Sequence, residues 1–188
     1  MAHSLSLRAL VLVPVMVVGL SACSPAAETA APTATPTTSI APTLGPDVIS
    51  LAGVRAVRFG QTRDELSDEP GLSEGPGGCG EHIVGVTEVS PVFTDEDAGE
   101  KLVLLWANPP LHTPENVAVG TAMDVVKSTY PQATPLTAPT GTYRFDGLLV
   151  SKGEFGFLFL HDGKHVQKLI AGYTTYLEQL FAEGFGAC

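Results

Sequence analysis

The chain has 188 residues, 20 of them acidic against 10 Lys and Arg, for a formal net charge of -10. That balance argues against nucleic acid as a partner and against electrostatic docking onto anionic lipid. Length and composition leave room for one globular domain with a true hydrophobic core and not for two of ordinary size.

Taken in chain order, the first segment is an address. Arg8 supplies a thin positive region and residues 9–20 are apolar, the length of a secretory signal core. The run is too short to span a bilayer, which takes roughly 20 apolar residues, and Pro14 sits within it. It closes on Leu20-Ser21-Ala22-Cys23, which resembles the lipobox at which bacterial lipoprotein precursors are cut and the new N-terminal cysteine is acylated. The resemblance implies a signal peptide over 1–22, lipidation at Cys23, and a mature chain held on the extracytoplasmic face of a cell membrane. Removing 1–22 takes away Arg8 and no acid, so the net charge moves from -10 to -11.

Residues 23–46 are rich in Pro, Thr and Ala. They cannot bury enough surface to offset the entropy of ordering, and read as an extended tether with polyproline II bias. Thr33, Thr35, Thr37, Thr38 and Thr43 sit in a context similar to O-glycosylated stalks, and an unmodified linker is the other reading.

The domain occupies 47–188 and carries a faint internal repeat. Val57-Arg58-Phe59-Gly60 leads into a helix opened by Thr62, with Glu65 at capping-box spacing. Val117-Ala118-Val119-Gly120 leads into a helix opened by Thr121, with Asp124 in the equivalent place. In the second helix Ala122, Val125, Val126 and Tyr130 are expected to share the buried face, and Pro131 stops it. After the first helix strands are expected over 81–89 and 101–106, joined by an acidic loop over 94–99. After the second they are expected over 143–150, 154–160 and 164–172, with turns at Ser151-Lys152-Gly153 and Asp162-Gly163. A last helix is expected over 174–183.

This spacing predicts an antiparallel meander in which Phe155, Phe157 and Phe159 alternate onto one face with Val166, Ile170, Phe145 and Leu149. That face is either the core under the second helix or a ligand pocket. With Cys23 committed to lipid, Cys79 and Cys188 are expected to form a disulfide in an oxidising compartment. Such a bond would contribute on the order of 4–5 kcal/mol in the chain-entropy model.

An apolar-Gly-x-Thr-x-x-Glu-apolar opening, here Phe59, Gly60, Thr62, Glu65 and Leu66, followed by a meander and a second copy, resembles the β-lactamase-inhibitor-protein-like fold. The same opening is similar to that of the small lipoprotein of the outer-membrane assembly machinery. The resemblance implies an α+β domain of two helix-plus-meander units in tandem, and a role in binding proteins rather than catalysis.

Enzymatic readings find less support. His161 and His165, one on each side of a tight turn, are expected on opposite faces of the hairpin, where they cannot chelate one ion. His82 and His112 stand apart from any acid at ligand spacing. Asp95-Glu96-Asp97 with Glu100 offers carboxylates for calcium but misses the EF-hand spacing. Asp64, Glu65, Asp68 and Glu69 suit a helix start, and Gly75-Pro76-Gly77-Gly78 follows no strand and opens no helix. No S-x-x-K occurs in 23–188, so a hydrolase would have to assemble its nucleophile from distant residues. The sequence therefore predicts no metal and no cofactor, and an anchored module that binds another envelope protein or a wall component. A lipid or small-molecule carrier is the second reading and an uncharacterised hydrolase the third.

Overall fold

A computed structural model describes residues 45–75, 80–140 and 144–184, all within the unit Ala41–Cys188. The signal segment, Cys23, the tether up to residue 44, Cys79 and Cys188 lie outside the described residues. The domain is α+β, built on one six-stranded antiparallel sheet. Its centre is the meander β9 (Asp146–Lys152), β10 (Phe155–His161) and β11 (Val166–Tyr173). β8 (Thr134–Leu136) extends one edge, and the hairpin β6 (Val89–Phe93) and β7 (Leu102–Ala107) joins the other through β7 and β11. Prolines stand on both edge strands, Pro91 on β6 and Pro135 on β8, which blunts them as templates for further strands.

One face of the sheet is covered by α3 (Thr174–Glu183), which follows β11 without a loop. Leu177 and Leu180 project from it onto Val103, Leu104, Leu149, Leu158 and Ile170. The other face is covered piecemeal. α1 (Arg63–Asp68), α2 (Met123–Thr129), the ribbon β1 (Ile49–Ser50), β2 (Gly53–Val54) and β3 (Val57–Arg58), and the pair β4 (Leu72–Glu74) and β5 (Glu81–Ile83) supply Leu66, Met123, Val126, Ile49, Val54 and Ile83 to a core shared with Phe157 and Phe159.

Local chemistry explains the ends of the first helix. Thr62 Oγ1 accepts from the Glu65 amide at 3.2 Å while Glu65 Oε2 accepts from the Thr62 amide at 2.8 Å, a complete capping box. The second copy does not repeat it. Thr121 turns back to accept from the Ala118 amide at 3.0 Å, and the α2 cap position, Ala122, has no side chain to offer.

Three strand expectations are corrected. The stretch 81–89 is not one strand: β5 stops at Ile83, the Val86 amide donates back to the Ile83 carbonyl, and β6 starts at Val89. Phe145 and Leu149 are not on the Phe157 face. Lys152 pairs with Phe155, so Gly153 and Glu154 form a two-residue loop with Gly153 at φ 67, the positive φ such hairpins require. Leu148 and Val150 thereby oppose Phe159 and Phe157, and Leu149 pairs with Leu158 on the α3 side. Ile170 crosses over too, opposite Leu158, because the register slips at a bulge between Leu160 and His161 while Val166 stays on the phenylalanine side. On α2, Val125 faces solvent at 48% exposure rather than the core.

Candidate functional site

A partly apolar hollow of about 490 Å³ opens where the phenylalanine face is covered in pieces. Four elements meet there. The turn after β1 brings Leu51 and Ala52, the loop before α2 brings Pro114 and Glu115, the end of α2 brings Tyr130, and the β9–β10 hairpin brings Val150, Lys152 and Phe157. The loop is fixed to the ribbon by backbone bonds from the Ile49 amide to the His112 carbonyl at 2.9 Å and from the His112 amide to Asp47 at 3.0 Å. It closes on itself through Thr113, whose amide donates to the Val117 carbonyl at 2.8 Å and whose Oγ1 accepts from the Val117 amide at 3.2 Å.

Thr113 is the buried polar residue of the core among those described, at 0% exposure, and it belongs to a directed chain of hydrogen bonds. Tyr130 Oη lies 2.6 Å from Glu115 Oε2 and 2.8 Å from Thr113 Oγ1. A phenol has one proton, so it cannot serve both. The carboxylate takes it, and the threonine hydroxyl donates to the phenolic oxygen. Every donor then points the same way, from the Val117 amide through Thr113 and Tyr130 to Glu115. Burial, reinforced by the hydrogen bond to Glu115, holds the Tyr130 phenol far above the usual range, so it serves as a donor. The Tyr130 ring stacks on Phe159 at 5.5 Å between centroids, which ties the chain to the sheet.

A second hollow is polar and open, lined by Asp95, Glu96, Asp97 and Glu100 around Arg63. Arg63 Nε donates to Glu100 Oε1 at 2.8 Å, Nη1 donates to Glu81, and the guanidinium lies 4.4 Å from the Phe93 ring centroid. Arg63 thus ties the start of α1 to β5 and to the β6–β7 hairpin; as half-exposed ion pairs these contribute little individually. The acidic loop itself is a turn of 3-10 helix over Glu96–Ala98 closed by Gly99.

Phe145, 39% exposed, borders a smaller apolar hollow of about 160 Å³ with Trp106, Leu160 and Phe181 at the far end of α3. Arg144 beside it donates to the carbonyls of Ala182 and Phe181, satisfying the end of that helix. Phe157 and Phe159, 3% and 0% exposed, belong to the core, with Phe157 also flooring the large cleft. Phe155 stacks on Phe59 and lies at a tilt against Tyr173.

Burial lowers the pKa of His161 against the opposing pull of Asp146, and its Nδ1 accepts from the Gly163 amide at 3.1 Å. The loop beyond it runs from Asp162 to His165 rather than turning tightly at Asp162-Gly163. Asp162 Oδ1 accepts from the amides of Lys164 and His165, both at 2.8 Å, and these bonds hold its carboxyl below the usual range. Among the described residues no three His, Cys, Asp or Glu side chains converge to hold a metal ion.

One constellation escapes a reading by pattern, and one pattern misleads. Thr113, Glu115 and Tyr130 are scattered in sequence and join only through the loop. Gly71-Leu72-Ser73-Glu74-Gly75 spells G-x-S-x-G, but Ser73 stands in the middle of β4 opposite His82, not on a strand-to-helix elbow. Its hydroxyl donates to the His82 carbonyl at 3.5 Å, a backbone oxygen and not a base.

Comparison with protein-family models, with curated proteins and with solved structures finds no match to this chain.

Proposed function

We propose that this is a lipid-anchored, extracytoplasmic binding module. Cys23 carries the acyl chains, 23–46 is the tether, and the 47–188 domain engages another envelope protein or a wall component. The observation that carries the reading is Leu20-Ser21-Ala22-Cys23, placed at the end of an apolar run with Arg8 ahead of it and a Pro/Thr/Ala segment behind. A single acyl chain holds weakly, whereas two or more, each buried methylene contributing about 0.8 kcal/mol, hold firmly. In the same reading α1 with β4–β7 and α2 with β8–β11 are two helix-plus-meander units joined at β7 and β11, and Cys79 and Cys188 form a disulfide. Binding is favoured over turnover because the group most perturbed in the large cleft, Tyr130, is a fixed donor rather than a base or nucleophile.

The carrier reading has an observation of its own: the cleft of about 490 Å³ lies between the Phe157 sheet face and α2. The test of the first reading is incorporation of a labelled fatty acid, followed by crosslinking and recovery of the tagged chain from its own envelope, with Cys23→Ala in parallel. Label and a stoichiometric partner, both lost in the variant, are expected. Unlabelled protein overturns the anchor; labelled protein with no partner enriched over the variant overturns the protein-binding role and leaves the carrier.

A further inference from the structure

The large cleft has an apolar interior of Leu51, Val150 and Phe157 and two opposite charges on its lining, Glu115 and Lys152. Among the described residues the ion pairs are those of Arg55 and Arg63, so neither Glu115 nor Lys152 is neutralised by a described neighbour. Glu115 is nevertheless held in place. Its Oε2 receives the Tyr130 phenolic proton at 2.6 Å, while no described residue bonds Oε1. A carboxylate oriented before the ligand arrives gives up less freedom on binding, which is how a small site gains affinity.

We infer that this cleft binds a small zwitterion with an apolar side chain, an α-amino acid or short peptide whose ammonium meets Glu115 and whose carboxylate meets Lys152. The side chain lies on Leu51, Val150 and Phe157. The volume falls within the range of small-ligand sites, about 300–1,000 Å³. Opposite charges on one lining also discriminate: an amine without a carboxylate meets Lys152 unpaired, and an acid without an ammonium meets Glu115. An uncharged apolar ligand leaves both charges to be desolvated without compensation. The inference rests on the anchored-binder reading for the protein's place outside the membrane. The titration that tests it uses neither an envelope partner nor the anchor, so failure of one leaves the other standing.

The experiment is calorimetric titration of the full chain, purified in detergent, with L-phenylalanine, L-leucine, Gly-Phe, phenethylamine and 3-phenylpropanoate. One-to-one saturable binding is expected for the zwitterions, with each single-charge analogue weaker by about ten-fold or more, the loss that one charged contact of about 1.4 kcal/mol produces. Tighter binding of the free amino acids identifies those as the ligand, and tighter Gly-Phe identifies a peptide. Glu115→Gln is expected to weaken L-phenylalanine and phenethylamine by about ten-fold while sparing 3-phenylpropanoate, and Lys152→Met to weaken L-phenylalanine and 3-phenylpropanoate by about as much while sparing phenethylamine. Ala52→Trp, at an exposed position on the cleft, is expected to abolish binding without moving the unfolding midpoint. No saturable heat with any probe, single-charge analogues that bind as well as the zwitterions, or binding that survives Ala52→Trp would each overturn the inference.

Discussion

The two faces of the central sheet are closed in different ways. On one, a single ten-residue helix seats along glycines; on the other, two shorter helices, a ribbon and loops share the work and leave a cleft. α3 lies so close that a Cβ added at Gly147 would stand 2.8 Å from Phe181 and one at Gly156 would stand 3.3 Å from Leu177; within the sheet, the Cβ at Gly156 would also stand 2.5 Å from the Val150 carbonyl oxygen of β9. Gly156 also pairs directly with Gly172, so the floor under the helix carries no side chain at that β10–β11 pair. The opposite face is instead built up with rings, Phe157, Phe159 and Tyr130, and admits a polar chain through Thr113. A face closed by one continuous element can be fitted to near-crystalline density. One closed by several short elements meets at seams, and a seam is where a binding site can open.

The largest effect is expected at the aromatic centre. Phe159→Ala removes a fully buried ring that Tyr130 stacks on and Phe157 packs beside, within the core of that face, and should cost about 3–5 kcal/mol in urea denaturation. If the piecemeal face is loosely held, the surroundings will collapse into the void and the cost will fall below that range. The comparison would then be sharpened: looseness would extend from the cleft into the core.

Next comes the seat of α3. Gly156→Ala asks a methyl group to occupy space already held by a backbone oxygen, which cannot rotate away, so we expect a loss of about 1–3 kcal/mol. Thermal unfolding measures it. A neutral result would mean that β9 and β10 can part enough to admit a methyl group under α3, and the tight floor read on this face would fail.

The same two faces show what was legible in the sequence. α3 was readable to its ends, because Tyr176-Leu177, Leu180 and Phe181 recur at helical spacing before Gly184. β10 was readable because Phe155, Phe157 and Phe159 alternate. What failed was register, which rests on turn geometry and not on composition. Counting Gly153 as the end of a three-residue turn instead of the start of a two-residue loop moved Phe145 and Leu149 to the wrong side, since one residue of slip inverts a strand. A bulge did the same to Ile170. β1, β2, β4 and β8, two or three residues each, carry too short a pattern to be seen at all. The cleft was illegible for a further reason: Thr113, Glu115 and Tyr130 come together only because backbone bonds to Asp47 and Ile49 hold their loop, and such bonds leave no trace in side-chain identity.

The smallest effect tests whether the polar chain at the seam belongs to the fold. Tyr130→Phe keeps the ring that stacks on Phe159 but removes the oxygen, leaving the Thr113 hydroxyl, fully buried, without its acceptor. The expected loss is about 1–2 kcal/mol near neutrality, with most of it the desolvation of that orphaned group. The pH dependence separates this from lost ring contacts. Because the folded phenol titrates above the unfolded one, its contribution is complete below the ordinary tyrosine pKa of about 10 and declines as pH rises beyond it, where the unfolded chain releases a proton that the folded one retains. The wild-type chain should therefore lose stability more steeply above about pH 10 than Tyr130→Phe does, and the two curves should converge there. Parallel curves would mean that the phenol is as accessible folded as unfolded, and that the seam is held by its apolar residues alone.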